Sequence, residues 1–304
     1  MAPPLADVRE ASAWQSENGV AADRTERDMQ YRLLVIDLDN TLFGADMQAS
    51  ARNREALQQA EAAGCRVAVC TARARYMTRP IVAGLGPISG PLIIFNGAAR
   101  YPRFEADPDE VLAIDREALR ACIQDAELTG MDLSGFEDPR RGDRVYVKRP
   151  AGGLREWAET NRKRVVVVEA IEDILEHDLV AFLCWGTEQQ AWQARELLGR
   201  PEGFAPPRVA PAVQYDSYLL EMTAAGATKG EAVARLARDL GVPREAVIAI
   251  GDSDPDLGMI EFAGLGVAVA NAKEHVRAAA DYVAPPCNQD AVADVVERFI
   301  LSER

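Results

Sequence analysis

The sequence predicts an α/β fold in which a parallel β-sheet forms a core domain and a second, α+β domain is inserted into it. Short apolar runs alternate with helical segments before about residue 100 and again after about residue 213, which is typical of βαβ units. Between these positions the alternation gives way to a mixture of helices and strand-like runs. A chain of 304 residues is long enough for two domains of this kind.

The first part of the chain is predicted to begin folding near Tyr31. Residues 1–30 lack a sustained apolar period, and we expect a flexible arm or a loose surface helix there. Strands are predicted at Leu33–Ile36, Cys65–Cys70 and Leu92–Phe95, and helices at Ser50–Ala63 and Arg75–Leu85. Gly64 follows the first helix at the position where a left-handed glycine commonly ends a helix.

The inserted domain is predicted to span residues 100–213, which leaves 31–99 and 214–304 as the core. Within it we expect helices at Asp115–Leu128 and Glu188–Leu198, and strands at Val145–Lys148, Val165–Glu169 and Leu179–Trp185. The core pattern is predicted to return with strands at Tyr218–Met222, Val247–Ile250 and Gly266–Val269, and with helices at Thr228–Leu240 and Asp290–Leu301.

Composition excludes several classes of function. The 48 Asp and Glu residues outnumber the 34 Lys and Arg residues, so we expect no nucleic-acid partner, because phosphate backbones are bound by excess positive charge. No apolar run is long enough for a membrane span and no signal peptide is evident, so a cytoplasmic protein is expected. The five cysteines contain no Cys-x-x-Cys pair and the two histidines are far apart, so neither disulfides nor a histidine metal site is expected.

Polar residues follow the predicted core strands or open the helices after them. These positions are Asp37-Leu38-Asp39-Asn40-Thr41, Thr71, Lys229 and Gly251-Asp252-Ser253-Asp254-Pro255-Asp256. Because the C-terminal ends of parallel strands share one crevice, we expect these groups to converge although they are distant in sequence. Phosphoryl transfer requires such a convergence of charged groups.

The carboxylates of Asp37 and Asp39 are suited to two different roles. A carboxylate in line with a phosphate, here Asp37, can form an aspartyl-phosphate and split one displacement into two. Asp39 lies in the following loop and can donate a proton to the leaving alcohol and later accept one from water. An isolated Asp-x-Asp would more often be a pair of surface acids, but the other motifs favour catalysis. Clustered acids around a phosphate also require a divalent cation, and hard oxygen ligands favour Mg²⁺.

With these motifs in this order, the chain resembles the haloacid dehalogenase-like (HAD) phosphatases, and among them the Cof-type group with a large cap between the second and third motifs. Two flanking segments, Ile93–Gly97 and Ala278–Val283, also resemble that group. The resemblance implies a Rossmann-like parallel-sheet core, an inserted α+β cap that closes over the site and selects the substrate, and a magnesium cofactor.

The resemblance also implies a set of metal ligands. Asp37, the backbone carbonyl of Asp39 and the side chain of Asp252 are expected to coordinate Mg²⁺ directly. Asp256 corresponds to the second acidic position of the motif and is expected to act through water or by orienting its neighbours. As an acid at a helix N-terminus, Asp256 is equally compatible with stabilisation of the helix dipole.

Four residues are expected to contact the phosphate or the rest of the substrate. The Thr71 hydroxyl would hold a phosphoryl oxygen at a helix start, where free backbone amides favour anions. The Lys229 ammonium would offset charge on the phosphate and the nucleophile, which gives a reason for a lysine at a helix N-terminus, where the dipole disfavours it. Arg73 and Asn96 are also predicted to bind the substrate.

The sequence departs from the Cof-type pattern at two positions. Asn40 stands where glycine is usual, and Pro255 stands where asparagine is usual. Proline has no hydrogen-bond donor. Any bond that the asparagine makes must therefore be absent, taken by water or supplied by a neighbour such as Ser253.

The expected function is hydrolysis of a small phosphorylated metabolite, such as a sugar phosphate, with no membrane partner. Three alternatives remain: a dedicated phosphatase of a disaccharide pathway, a phosphosugar mutase, and a catalytically weakened regulatory protein that binds a phosphosugar. A group of basic cap residues would mark a doubly anionic substrate or be solvated surface. Its members are Arg140, Arg141, Arg144, Lys148, Arg149, Arg162, Lys163 and Arg164.

Overall fold

The computed structural model describes residues 30–302 except Ser89 and Arg149, so the predicted arm lies outside the described residues apart from Gln30. The strands, numbered along the chain, are β1 (Leu33–Ile36), β2 (Arg66–Cys70), β3 (Leu92–Ile94), β4 (Ala99–Tyr101), β5 (Glu110–Val111), β6 (Asp132–Glu137), β7 (Val145–Lys148), β8 (Val165–Val168), β9 (Leu179–Gly186), β10 (Arg208–Ala212), β11 (Ser217–Thr223), β12 (Val247–Gly251), β13 (Leu265–Val269) and β14 (Tyr282–Ala284). The helices are α1 (Ala51–Ala63), α2 (Arg75–Ala83), α3 (Arg116–Leu128), α4 (Gly152–Thr160), α5 (Glu188–Leu198), α6 (Lys229–Asp239), α7 (Leu257–Phe262), α8 (Glu274–Ala279) and α9 (Ala291–Val296).

The larger sheet has the strand order β14-β13-β12-β1-β2-β3-β4-β5. Its first six strands are parallel, and β4 and β5 add antiparallel strands at one edge. All four residues of β1 are fully buried. Leu34 and Ile36 pack in a cluster with residues of α1 and α9, while Leu33 and Val35 pack with residues of α6 and α7. Successive side chains of β1 thus point to opposite faces of the sheet, and helices cover both faces.

The smaller sheet has the order β10-β11-β9-β6-β7-β8 and is antiparallel except for the β7–β8 pair. Its residues share a core cluster with α3, α4 and α5, which gives the inserted domain a hydrophobic core of its own. We refer to this domain as the cap. The predicted α/β class with an inserted α+β domain is therefore confirmed.

The borders of the cap differ from the predicted ones. The prediction that the strand at Tyr218–Met222 returns to the parallel sheet is wrong, because β11 pairs antiparallel with β9 and β10 of the cap. Strands β4 and β5 belong to the larger sheet. By sheet membership the cap therefore follows Val111 and ends at Thr223, instead of spanning residues 100–213. An apolar strand pattern reports burial but does not say which sheet buries the strand.

Other expectations concern local features. Gly64 ends α1 with a φ of 101°, as predicted for a left-handed cap. All five cysteines are free thiols, and four of them are buried. Among the described residues, no helix combines the length and the apolar character that crossing a membrane requires.

Candidate active site

The C-terminal ends of β1 and β12 bring three carboxylates together. Asp37 directly follows β1, and Asp252 directly follows β12. Asp256 lies four residues further on, in a short 3₁₀ turn that leads into α7. One oxygen from each of the three side chains lies within 4.8 Å of the others. The predicted convergence of these distant segments follows from the pairing of β1 with β12 in the parallel sheet.

Lys229, the first residue of α6, lies between two of these carboxylates. Its Nζ donates to Asp37 Oδ1 at 2.7 Å and to Asp256 Oδ1 at 2.6 Å, and its side chain is only 3% exposed. Thr228 caps the helix by accepting a bond from the Glu231 amide. The two ion pairs offset the unfavourable position of a lysine at a helix N-terminus.

Asp256 organises the loop after β12. Its Oδ2 accepts bonds from the Asp252 and Ser253 amides and from the Ser253 hydroxyl at 3.0–3.1 Å, while its Oδ1 pairs with Lys229. Both oxygens are thus engaged, which favours the orienting role over direct metal ligation. A Cβ on Gly251 would lie 2.4 Å from the Asp256 Cβ, so the close approach requires glycine.

The same loop contains the departure at Pro255. Pro255 lies in the 3₁₀ turn Asp254–Asp256, where the fixed φ of proline suits a first helical turn. The Ser253 hydroxyl is engaged with Asp256, so it supports that carboxylate instead of replacing a donor at position 255.

Burial and mutual repulsion shape the charges of this cluster. Burial raises the pKa of Asp37 to about 7, with Asp256 adding to the rise and Lys229 opposing it. Burial, reinforced by Asp256, raises the pKa of Asp252 to about 6. Burial lowers the pKa of Lys229, but the charges of Asp256 and Asp37 outweigh it and the net pKa is raised. Three carboxylates around one ammonium therefore form a site that favours a further positive charge.

A second ion pair lies at the more exposed side of the site. The Arg73 guanidinium donates from Nε to Asp39 Oδ2 at 2.7 Å and from Nη2 to Asp39 Oδ1 at 2.5 Å. Thr71 is fully buried after β2, and its hydroxyl oxygen accepts from the Arg73 amide at 3.2 Å. Asp39 and Arg73 were each predicted as site residues, but sequence reasoning missed their pairing because the loops after β1 and β2 share no sequence signal.

Asn96 lies in the turn after β3, beside the Thr71 loop and under the cap. Its backbone amide donates to the Thr71 carbonyl at 3.0 Å. Its side-chain Nδ2 approaches Glu221 Oε2 on β11 at 3.5 Å. Glu221 was not predicted as a site residue. Only the placement of β11 in the cap sheet, which the sequence did not reveal, brings it here.

Asn40 adopts a φ of 55°, in the left-handed region where glycine and asparagine are the favoured residues. This conformation explains why asparagine replaces the usual glycine. The Asn40 carbonyl accepts a bond from Asn271 Nδ2 at 2.8 Å, so the loop after β13 supports the loop after β1. Sequence reasoning did not identify Asn271.

Four of the eight basic cap residues form ion pairs with cap carboxylates. The pairs are Arg140–Asp138, Arg141–Asp178, Lys148–Glu127 and Arg164–Asp143. These four side chains therefore offer less unbalanced positive charge than the sequence suggested, while Arg149 lies outside the described residues. The hypothesis of a doubly anionic substrate gains no support from them.

Comparison with known proteins decides the family. A family model described as haloacid dehalogenase-like hydrolase matches residues 34–296. The chain belongs to the haloacid dehalogenase-like hydrolases. The match covers both parts of the core and the cap between them, so the resemblance carried by the sequence motifs and the predicted hydrolase class are confirmed.

Named relatives of this hydrolase include two proteins of Bacillus subtilis (strain 168). The 5-amino-6-(5-phospho-D-ribitylamino)uracil phosphatase YcsE is 28% identical, with 90% of this chain and 98% of its own covered. Phosphatase YwpJ is also 28% identical, with 88% and 100% covered. Among solved structures, a haloacid dehalogenase-like hydrolase from Bacteroides thetaiotaomicron is similar with a TM-score of 0.73 and 26% identity, over 88% of this chain and 99% of its own. These similarities agree with the predicted Rossmann-like core and α+β cap.

Proposed function

We propose that the protein is a magnesium-dependent phosphomonoesterase with Asp37 as the nucleophile. The observation that carries the proposal is the buried bridge of Lys229 between Asp37 and Asp256, with Asp252 beside it. This bridge holds one carboxylate oxygen of Asp37 against the ammonium and so fixes the side chain at the end of β1. A merely structural cluster would not need three carboxylates at the mouth of a parallel sheet.

The residues present fit a magnesium ion. The three carboxylates exceed the single ammonium in charge, and the pKa values of Asp37 and Asp252 are raised to about 7 and about 6. Asp37, Asp252 and the backbone carbonyl of Asp39 would hold the ion, since hard oxygen ligands suit Mg²⁺. When bound, the ion would offset the negative charge of the phosphate.

The chain's own residues account for both displacement steps. Asp37 attacks the phosphorus, the bond to the alcohol oxygen breaks, and Asp39 gives its proton to that oxygen. Water then attacks the aspartyl-phosphate, its proton passes to Asp39, and inorganic phosphate and free Asp37 result. The oxygen of the Thr71 hydroxyl accepts a hydrogen bond from the Arg73 backbone amide. The hydroxyl hydrogen is therefore left to donate to a phosphoryl oxygen.

The two hydrogen bonds from the Arg73 guanidinium to Asp39 suggest what must happen before Asp39 can transfer a proton. A carboxylate held by two guanidinium N–H groups accepts hydrogen bonds and is disfavoured as a proton donor. We infer that the substrate phosphate competes for Arg73 and so releases Asp39 toward the leaving oxygen. In this proposal, substrate binding by Arg73 comes first and proton transfer by Asp39 follows from it.

The preferred substrate class is a small phosphate ester of a sugar or polyol. The name of YcsE describes a phosphate ester on a ribityl chain, which supports the polyol part of the proposal. The intact cluster of Asp37, Lys229 and Asp252 argues against the weakened regulatory protein. No observation favours the mutase or the disaccharide-pathway phosphatase, and the cytoplasmic location stays a prediction.

The test is hydrolysis of p-nitrophenyl phosphate and a panel of sugar and polyol phosphates, with magnesium or with a chelator. We expect magnesium-dependent release of phosphate, and a loss on the order of a thousandfold or more in Asp37→Asn. Asp46→Asn is the matched control, because Asp46 is an exposed acid on the same connection between β1 and α1. Activity in Asp37→Asn close to that of the parent would refute the assignment, and a folded parent that hydrolyses nothing would refute the function.

A further inference from the structure

Phe95, Asn96 and Gly97 form a tight turn between the catalytic crevice and the cap. All three have a positive φ, of 50°, 56° and 114°. Glycine adopts this region freely, asparagine tolerates it, and a left-handed phenylalanine is an outlier. Such conformations persist only where surrounding contacts hold them, and they cluster at functional sites.

On the core side, the turn is bonded to the loop that holds the phosphate in the proposed function. The Phe95 amide donates to the Arg73 carbonyl at 3.2 Å, and the Asn96 amide donates to the Thr71 carbonyl at 3.0 Å. A Cβ on Gly97 would lie 2.6 Å from the carbonyl oxygen of Thr228, the residue before Lys229. The turn therefore contacts both the Thr71 loop and the start of the helix that carries the lysine.

On the cap side, the first two side chains of the same turn meet cap residues. The Phe95 ring lies edge-on to the Phe136 ring of β6, with centroids 5.3 Å apart. The Asn96 amide group faces Glu221 on β11, whose carboxylate is also bonded by Arg208 at 3.0 Å. Two consecutive residues, Phe95 and Asn96, thus connect cap side chains to the backbone of the phosphate loop.

We propose that Phe95 and Asn96 are positioning residues that couple the position of the cap to the phosphate loop at Thr71 and Arg73. The inference rests on the proposed phosphatase function. With the cap over the crevice, Phe136 and Glu221 hold the turn in its left-handed conformation, and the turn's amides hold the loop. When the cap moves away, both contacts are lost, the turn relaxes and the loop loses two hydrogen bonds. The phosphate site is therefore complete only under a closed cap, although neither cap residue needs to touch the phosphate.

The experiment is a double-mutant cycle in the full-length protein with magnesium, using Glu221→Ala and Asn96→Ala, because alanine removes the contact and, unlike glycine, disfavours the left-handed conformation. We expect kcat for p-nitrophenyl phosphate to fall roughly tenfold in each single variant, the size of one lost hydrogen bond to a charged group. The double variant should be no worse than Glu221→Ala alone, because the contact between the two side chains is already absent in that variant. Glu221→Gln, which keeps an acceptor for the Asn96 amide, should restore most of the activity.

Two control variants separate coupling from damage to the cap. Glu127→Ala removes a cap carboxylate that pairs with Lys148, and Asp178→Asn neutralises one that pairs with Arg116 and Arg141. Both should leave kcat within about twofold, since the ion pairs described for these two carboxylates lie within the cap and do not involve the turn. Asn96→Gly also lacks the contact to Glu221 but adopts the left-handed conformation freely, so it should retain more activity than Asn96→Ala. This comparison tests the proposal even if Glu221→Ala is unstable.

Binding of inorganic phosphate with magnesium, followed by calorimetry, gives a readout that needs no turnover. If the parent hydrolyses no ester, the proposed function fails, while the coupling is still supported by weaker phosphate binding in Glu221→Ala and Asn96→Ala but not in Glu127→Ala. Additive losses in the cycle, or folded Glu221→Ala and Asn96→Ala proteins that bind and turn over like the parent, would overturn the coupling.

Discussion

The site contains two carboxylate–cation pairs that start from the same loop but lie in different environments. Asp37 and Lys229 are joined at 2.7 Å with side chains only 6% and 3% exposed. Asp39 and Arg73 are joined as closely, at 2.5 Å, but the Asp39 side chain is 46% exposed, while that of Arg73 is 13% exposed. Because a buried pair cannot exchange its partner for water, Asp37, the proposed nucleophile, is held in place before substrate arrives. The more exposed pair can exchange, which suits the proton transfer proposed for Asp39.

The backbone explains this contrast. Asp37 directly follows a strand that is buried on both faces, and Lys229 begins a helix that packs on the same sheet. Asp39 lies three residues beyond the end of β1, where an isolated bridge to Phe43 replaces regular pairing. Distance from the sheet, more than residue type, therefore separates the fixed pair from the exchangeable one.

Removing one cation from each pair is the strongest test of this contrast. Lys229→Met leaves Asp37 and Asp256 buried side by side, and we expect the free energy of unfolding to fall by about 3–5 kcal/mol. Arg73→Met should cost less than about 1 kcal/mol, because Asp39 is solvated without its partner. Urea denaturation followed by circular dichroism measures both values, with Lys163→Met as an exposed lysine control. Similar losses in the Lys229 and Arg73 variants would remove the basis of the comparison.

The next test asks whether the exposed pair serves the second step. Asp39→Asn should leave stability nearly unchanged but slow breakdown of the aspartyl-phosphate by roughly 10²–10⁴-fold, because the base that activates water is lost. Rapid quenching with radiolabelled substrate should then trap phosphorylated protein in this variant and not in Asp46→Asn. Turnover equal to the parent, with no trapped intermediate, would contradict the role of Asp39.

The sequence anticipated the fixed pair better than the exchangeable one. Asp37 and Lys229 could be predicted together because parallel strands deliver their C-terminal residues to one edge, whatever lies between them in sequence. The fork between Arg73 and Asp39, and the approach of Asn96 to Glu221, depend on loop conformation and on cap docking. Neither leaves a periodic pattern in the chain. The strand that carries Glu221 was assigned to the wrong sheet for the same reason, since its apolar pattern fits either sheet.

A third test separates the proposed metal site from the buried pair. In Asp252→Asn, the magnesium concentration for half-maximal activity should rise about tenfold or more if Asp252 is a metal ligand, because a charged oxygen is then replaced by a neutral one. In Asp256→Asn, the larger effect should fall on stability, since Lys229 and three donors of the loop lose their carboxylate. Magnesium titrations and urea denaturation of both variants measure this. Matching profiles would show that the two carboxylates do not have distinct roles.

The smallest expected effect concerns the support beneath the fixed pair, at Ser253 and Pro255. The Ser253 hydroxyl gives Asp256 one of three bonds to Oδ2, and the two backbone amides remain when it is removed. Ser253→Ala should therefore cost about 1 kcal/mol in transition-state stabilisation, roughly a fivefold loss in kcat/KM.

Pro255→Asn should leave activity unchanged or raise it, because asparagine adds a donor that proline lacks. If Ser253 acts only through Asp256, its loss should have the same effect in the parent and in the Pro255→Asn background. A smaller effect of Ser253→Ala in that background would mean that the serine stands in for the missing amide, and that the contact to Asp256 is secondary.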